Sequence, residues 1–247
     1  MSENVKPMLS LVKTAVEQIE SSQTTPRDSR SCCTCGKPVA LEESSPRWRE
    51  LDIRCDDCQV VADKEAESLS ERRAKDNREE LLSRIPVAFR NTERSRLPHP
   101  EKLDAALQWK FGAMGLLLYG PTGCGKSRVA WEVAKWEILS GRSLKCLNAF
   151  ELSRYPSLFM SDSNSATAFA DELVRAQLLL LDDVFKAKPT ERVEELLFAV
   201  IDERGQWERP CIVTLNDTGD TLTSRLSADR GPALIRRMRE YCQTIKF

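Results

Sequence analysis

The chain has 247 residues, enough for one large folded domain and a smaller one. Its formal net charge of −1 excludes a general attraction to polyanions, so contact with nucleic acid would depend on local basic patches. It contains no run of about 18 apolar residues and no signal-peptide core, which predicts a cytoplasmic protein without membrane contact. In a reducing compartment, its nine cysteines indicate metal ligands rather than disulfides.

The N-terminal segment, residues 1–31, is predicted to be a helix followed by a linker. Residues 1–20 carry apolar side chains at helical spacing, so this helix either docks onto a partner or packs on its own domain. Residues 21–31 are polar and contain a proline, which is typical of a linker.

Two cysteine pairs come next. Cys32 and Cys35 form one C-x₂-C pair, Cys55 and Cys58 form the second, and 19 residues separate the pairs. This spacing is typical of zinc ribbons, in which four thiolates complete a tetrahedral structural Zn²⁺ site. Cys33 is a spare cysteine that could exchange roles with Cys32. Free or redox-active thiols are the alternative interpretation.

Charge patterning sets the remaining domain boundaries. Residues 61–83 are mostly charged, with both signs interspersed, which predicts a solvated connecting helix. It would join a zinc-ribbon-like module over residues 32–60 to a larger domain over residues 84–247.

A glycine-rich motif follows the apolar run Gly115–Tyr119 and precedes a helix-like segment, Arg128–Ser140. This order of strand, loop and helix is the context of a P-loop, in which backbone amides and a helix N-terminus surround phosphates. Lys126 would reach the β- and γ-phosphates, and the Ser127 hydroxyl would ligate Mg²⁺. We therefore expect ATP to be bound by Gly120, Pro121, Thr122, Gly123, Cys124, Gly125, Lys126, Ser127 and Arg128.

A second apolar run, Leu178–Leu181, ends in two carboxylates about fifty residues after the P-loop. Four consecutive aliphatic residues predict a fully buried parallel strand, and the carboxyl ends of such strands are where open α/β sheets bind ligands. We expect Asp182 to hold Mg²⁺ and to contribute to the nucleotide site, and Asp183 to orient the attacking water, as in a Walker B motif.

Two further segments carry polar residues with more than one interpretation. A predicted helix over Phe150–Met160 contains Arg154, Tyr155 and Phe159, which suits stacking on single-stranded bases, although such aromatic residues also form cores. Asn216 ends another predicted buried strand, where it either reaches the γ-phosphate or its water, or caps a turn.

The last 25 residues are rich in arginine and end in a predicted strand, Cys242–Phe247. An arginine at this edge could project into a neighbouring subunit's nucleotide as an arginine finger. A solvated or nucleic-acid-facing basic surface is the alternative.

Taken together, these motifs and their order resemble the AAA+ ATPases, and within them the DnaC/DnaI-type replicative helicase loaders, with the IstB-type transposition helpers as close relatives. The resemblance covers residues 84–247. It implies an α/β P-loop core, with a parallel sheet flanked by helices and no C-terminal lid, behind a small zinc-binding module. The compact build is also similar to that of phage-encoded loaders.

The resemblance also implies residue roles. Lys126, Asp183, Asn216 and Arg237 match catalytic positions of the family, Asn216 as sensor 1 and Arg237 as the finger, with Arg236 and Arg239 close enough to compete. Most AAA+ motors have a glutamate where this chain has Asp183, and the shorter side chain suits a slow switch.

The implied function is an ATPase that forms a homo-oligomer when ATP is bound and loads a hexameric replicative helicase onto single-stranded DNA. The alternatives are an IstB-like transposition helper and a zinc-ribbon adaptor with a weakly active ATPase domain.

Overall fold

The computed structural model describes residues 29–40, 53–186, 188–216 and 219–247. The chain divides into two compact units between Arg72 and Arg73. The predicted helix over residues 1–20 lies outside the described residues, as does most of the predicted linker. The last three linker residues instead form strand β1 (Ser29–Ser31), which pairs antiparallel with β2 (Pro38–Ala40).

Helix α1 (Asp56–Ser83) begins directly after Cys55. It begins five residues before the predicted connecting helix and therefore contains Cys58. None of its 28 residues, all described, is buried, and only Leu81 and Leu82 near its end pack partly against a core cluster of the larger unit. The predicted connecting segment, residues 61–83, lies within this longer helix.

The larger unit is built on one sheet of five parallel strands in the order β4-β5-β6-β3-β7. The strands are β3 (Gly115–Tyr119), β4 (Leu144–Asn148), β5 (Leu178–Asp182), β6 (Cys211–Leu215) and β7 (Cys242–Lys246). Strand β5 is continuously aliphatic because helices cover both faces of the sheet, and its four leucines are fully buried. The predicted parallel α/β core is confirmed.

Helices on the two faces form two separate cores. The first face carries α2 (Val87–Arg90), α3 (Pro100–Leu107) and α4 (Lys126–Leu139), which pack against Leu178 and Leu180. The opposite face, which Leu179 and Leu181 enter, is covered by α5 (Ala149–Ser153), α6 (Tyr155–Ser161), α7 (Ser163–Arg175), α8 (Glu191–Gln206), α9 (Gly219–Arg225) and α10 (Gly231–Tyr241).

The helix predicted over Phe150–Met160 is divided into α5 and α6. The division falls at Arg154, and Pro156 stands in the first turn of α6, where a missing N–H is tolerated. Helix α7, which the sequence analysis did not identify, follows directly and begins with a side-chain cap from Asp162.

Arg204 of α8 is fully buried and holds the amino-terminal edge of the sheet together. Its guanidinium donates to carbonyl groups at the end of α7, where helical carbonyls lack partners and a cation is favoured. It also donates to carbonyls directly before β5 and β6. The acceptors, at 2.7 to 3.3 Å, are the carbonyls of Leu173, Val174, Ala176, Gln177 and Pro210.

Helices α8 and α10 cross closely at Gly205. A Cβ atom at this position would lie 1.9 Å from Cε2 of Tyr241, so only glycine permits the observed approach. The aromatic ring therefore packs directly on the backbone of α8.

We expect Gly205→Ala to lower the free energy of unfolding by about 1–3 kcal/mol, because the added methyl group overpacks the contact with Tyr241. Denaturant titration followed by circular dichroism measures this change. Gly112→Ala is a matched control, since its added Cβ meets no atom nearer than 3.9 Å. Equal stability of the two variants would contradict the packing argument.

Candidate functional site

The glycine-rich loop connects β3 to α4 at the carboxyl edge of the sheet. Gly123 and Gly125 have φ angles of +85° and +98°, which side chains with a Cβ rarely adopt. Gly125 is the N-cap of α4, so Lys126 and Ser127 form the first turn of the helix. The loop thus has the backbone conformation and the helix N-terminus that an anion site requires.

The Lys126 ammonium group lies inside this loop, and the residue is only 5 % exposed. Its Nζ donates to the carbonyl oxygens of Gly120 at 2.9 Å and Pro121 at 2.7 Å, and lies 3.5 Å from Sγ of Cys124. The positive charge of Lys126 therefore lies inside the loop. An incoming phosphate would compete with the two carbonyls for this ammonium group.

Arg128 points away from the loop, although the sequence analysis placed it in the nucleotide site. Its guanidinium donates to the carbonyl of Ala88 at 2.8 Å and lies 5.8 Å from the ring centroid of Phe89. In this structure Arg128 therefore connects α4 to α2.

The acidic pair lies at the end of β5, beside the end of β6. The Asn216 amide donates to Oδ1 of Asp183, and the Thr214 hydroxyl donates to Oδ1 of Asp182 at 2.8 Å. Lys186 places its Nζ 3.9 Å from Oδ2 of Asp183. The structure thus brings together the three polar residues predicted at these strand ends, with Asn216 bonded to a carboxylate.

Thr214 is a member of this cluster that the sequence analysis missed. It is 1 % exposed, and its hydroxyl oxygen also accepts a hydrogen bond from the backbone N–H of Asp183 at 2.8 Å. The available signal was a single hydroxyl in the otherwise apolar strand β6.

The arginines of α10 have different surroundings. The Nε atom of Arg237 lies 2.7 Å from Oδ1 of Asp202. Its NH1 group donates to the Tyr241 hydroxyl at 2.9 Å. Arg236 is paired with Glu240 at 3.7 Å. Arg239 is exposed and has no ion pair within the described part of the chain. The predicted finger is thus held by its own chain here.

The aromatic residues of α5 and α6 are divided between core and solvent. Tyr155 is 9 % exposed and belongs to the core, as the alternative interpretation expected. Phe150 and Met160 are 72 % and 88 % exposed. Phe159 is partly exposed, and the guanidinium of Arg192 lies 4.7 Å from its ring centroid.

Four cysteines of the smaller unit converge. The Sγ atoms of Cys32, Cys35, Cys55 and Cys58 all lie within 4.8 Å of one another. A Zn²⁺ ion bound at about 2.3 Å by four thiolates separates them by about 3.8 Å, so this set fits the ion. Cys33 is not in the set and its Sγ lies near the Thr34 hydroxyl, which places Cys32 rather than Cys33 in the cluster.

The pKa values of two thiols in the cluster are shifted in opposite directions. Hydrogen bonds from backbone N–H groups, Cys35 first and then Cys55, lower the pKa of Cys32 to about 5. Hydrogen bonds with the side chains of Cys35 and Cys55 raise the pKa of Cys58 to about 12. The Cys32 thiolate therefore forms readily, whereas formation of the Cys58 thiolate is opposed. This is expected where four negatively charged sulfur atoms are stable together only when a cation is bound.

The strand order, the glycine-rich loop after β3 and the carboxylates after β5 define a P-loop ATPase of the AAA+ class. The particular family follows from the sequence, which matches the model of the IstB-like ATP binding proteins over residues 89–246. This match covers more than half of the chain, so the chain belongs to that family. The predicted ATPase class and family relationship are confirmed.

Solved structures show the same fold. A crystal structure of DnaI is 18% identical, with a TM-score of 0.53, and the match covers 68% of this chain and 93% of DnaI. A crystal structure of the DnaC helicase loader is 18% identical, with a TM-score of 0.50, covering 65% and 94%. DnaA from Aquifex aeolicus bound to AMPPCP is 18% identical, with a TM-score of 0.50, covering 67% and 49%.

The chain spans about half the length of two AMPPCP-bound DnaA structures that it matches, and no curated protein matches its sequence. Within the described residues, no helix has the length and apolar character needed to cross a membrane.

We expect Lys126→Ala to weaken ATP binding by roughly 10- to 100-fold, because it removes a charge-assisted contact worth about 1.5–3 kcal/mol. Titration with a fluorescent ATP analogue measures the affinity. Lys145→Ala is the control, since Lys145 forms an ion pair with Glu172 away from the loop. An unchanged ATP affinity in the Lys126 variant would contradict the assignment of the P-loop to the nucleotide site.

Proposed function

We propose that this ATPase loads a hexameric replicative DNA helicase onto single-stranded DNA and acts as an ATP-dependent switch in a homo-oligomer. The observation that carries the proposal is the bonded cluster of Asp182, Asp183, Thr214 and Asn216 beside the P-loop. The fold of this site is shared with DnaI and the DnaC helicase loader.

In the proposed site, residues 120–127 surround the phosphates, and the Lys126 ammonium exchanges its bonds with the loop carbonyls for bonds to phosphate oxygens. Ser127 and Asp182 would hold Mg²⁺, and their hydroxyl and carboxylate oxygens are the donors that this ion prefers. Bound Mg²⁺ neutralises phosphate charge. The Thr214 hydroxyl bonds only one oxygen of Asp182, Oδ1, which leaves Oδ2 for the ion.

Hydrolysis is assigned to Asp183, which accepts a hydrogen bond from the attacking water and orients it. The Asn216 amide donates to Oδ1 of this carboxylate and, as the proposed sensor 1 residue, acts in the same region of the site. Because an aspartate extends less far than a glutamate, turnover is expected to be slow, which suits a switch that needs one hydrolysis event for each loading cycle.

Arg237 is the proposed finger. It would act on the nucleotide of a neighbouring subunit, where its charge stabilises phosphoryl transfer. To do so it must leave Asp202 and Tyr241 of its own chain. Subunit association therefore competes with an intrachain ion pair, which makes hydrolysis dependent on the oligomer.

Single-stranded DNA is proposed to contact α5 and α6. The exposed Phe150 ring can stack on a base of any identity, and the partly exposed Phe159 ring carries the Arg192 cation beside it. This arrangement combines stacking and positive charge without base-specific hydrogen bonds. Such a surface suits a protein that must act on many sequences.

The four cysteines Cys32, Cys35, Cys55 and Cys58 are proposed to bind one structural Zn²⁺ ion. The ion would stabilise a module too small to fold on its own core, and this module would contact the helicase. In this proposal the chain is organised as residues 1–31, 32–60, 61–83 and 84–247.

We expect the purified protein to contain about one zinc per chain, measured by inductively coupled plasma mass spectrometry. Cys58→Ser should lose the metal, because three thiolates cannot complete the tetrahedral site. Cys33→Ser is the matched control and should retain it, since Cys33 is not in the cluster. Zinc retained equally by both variants, or absent from the unaltered protein, would contradict the site.

A second candidate function is favoured by the family match itself, which names IstB-like proteins. In that case the same ATPase would assist a transposase on double-stranded DNA.

Affinity capture of the tagged chain from its native cells, with ATP present, tests the two candidates. The loader proposal expects a hexameric replicative helicase among the strongest proteins recovered, and expects less of it with Lys126→Ala. Recovery of a transposase instead would favour the second candidate. Recovery of neither would leave an ATPase without the proposed partner, and the loader proposal would be abandoned.

A further inference from the structure

Backbone pairing between β5 and β6 ends just before the acidic pair. The last matched residues are Leu181 and Val213, and Thr214 is the next residue along β6. Beyond this point, hydrogen bonds of the Thr214 side chain connect the two strands in place of the backbone hydrogen bonds of the sheet. Its hydroxyl donates to Oδ1 of Asp182 and accepts from the N–H of Asp183, both at 2.8 Å.

The direction of these two bonds is fixed by chemistry. A hydroxyl group has one proton, and the backbone N–H of Asp183 can only donate, so the proton of Thr214 is directed to Asp182. Because Thr214 is 1 % exposed, water does not replace either bond easily. A buried hydroxyl without partners would be unfavourable, and these two bonds use both its proton and its oxygen.

Asp183 needs this support because its backbone is strained. Its φ angle is +56°, a left-handed conformation that is uncommon outside glycine and that aspartate adopts more readily than most residues, at a modest cost. Thr214 holds its backbone N–H, and Asn216, two residues further on, holds its side chain. The end of β6 therefore fixes both the position and the orientation of this carboxylate.

We propose that Thr214 is a positioning residue for ATP hydrolysis. It holds Oδ1 of the Asp182 carboxylate, so that Oδ2 would be the oxygen available to Mg²⁺, and it fixes the backbone from which the Asp183 carboxylate projects. Thr214 acts only through these two residues. The inference rests on the roles proposed above for Asp182 and Asp183, and it is independent of the helicase or transposase assignment.

The first measurement uses the full chain without nucleotide or metal in the ATP site. Amide hydrogen exchange of Asp183, followed by NMR, reports directly on the bond to Thr214. In Thr214→Val, which keeps the shape and removes the hydroxyl, exchange should become about fivefold faster, as expected for one lost hydrogen bond. Thr214→Ser keeps the hydroxyl and should exchange as the unaltered chain does.

The second measurement follows ATP hydrolysis as a function of Mg²⁺ concentration. Loss of a group that orients a metal ligand typically lowers metal affinity or activity by about 10- to 100-fold. We expect Thr214→Val to raise the half-saturating Mg²⁺ concentration and lower kcat within this range. ATP affinity measured in EDTA should not change, because the P-loop is intact. Thr214→Ser should restore the Mg²⁺ dependence.

The comparison remains decisive if the valine variant does not fold. Thr214→Ser and Thr214→Ala differ only in the hydroxyl, so the same contrast should appear between them. Equal exchange and equal Mg²⁺ dependence in that pair would overturn the inference.

Asp183→Asn separates failure of this inference from failure of the site. If Asp183→Asn abolishes hydrolysis while Thr214→Val hydrolyses ATP with the unaltered Mg²⁺ dependence, the positioning role is wrong and the site stands. If Asp183→Asn hydrolyses ATP normally, the proposed role of Asp183 is wrong and the part of the positioning role that acts through Asp183 falls with it, while the Mg²⁺ dependence of Thr214→Val still decides the part that acts through Asp182.

Discussion

All five strands of the large sheet run parallel, and this constraint decides where its polar groups meet. Gly120, Asp182 and Asn216 are distant in sequence, yet each comes at the carboxyl end of a strand, and those strands are neighbours. The opposite edge must be held as firmly, and there Arg204 binds the segments that precede β5 and β6. A buried cation far from the nucleotide thus helps to keep the two strand ends in register.

The features predicted from sequence are those that short segments determine. Aliphatic runs such as Leu178–Leu181 define buried strands by themselves, and glycine and cysteine spacing defines loops that bind phosphate or metal. What sequence could not supply depends on partners distant in the chain. Arg237 is paired with Asp202 of another helix, and nothing near either residue indicates the pairing. Thr214 looks like an ordinary strand residue until β5 is placed beside it.

The same reasoning explains the contacts of two further residues. Arg128 follows the P-loop directly, which predicts a place in the nucleotide site, and in this structure its guanidinium contacts the Ala88 carbonyl and the Phe89 ring of α2. Tyr155 stands among basic residues in the sequence, which leaves both stacking on bases and a core position open, and α7 supplies Phe169, whose ring centroid lies 5.8 Å from that of Tyr155. In each case an unrecognised neighbour decided the direction of the side chain.

The close crossing at Gly205 links the two helices that follow the acidic pair and precede β7. Tyr241 both fills the space that glycine leaves and accepts a hydrogen bond from Arg237. Positions 205 and 241 should therefore change together during evolution. A larger side chain at 205 would require a smaller one at 241, and a smaller residue without a hydroxyl would leave Arg237 less firmly held. Bulk at one position would thus alter how readily the arginine leaves its own subunit.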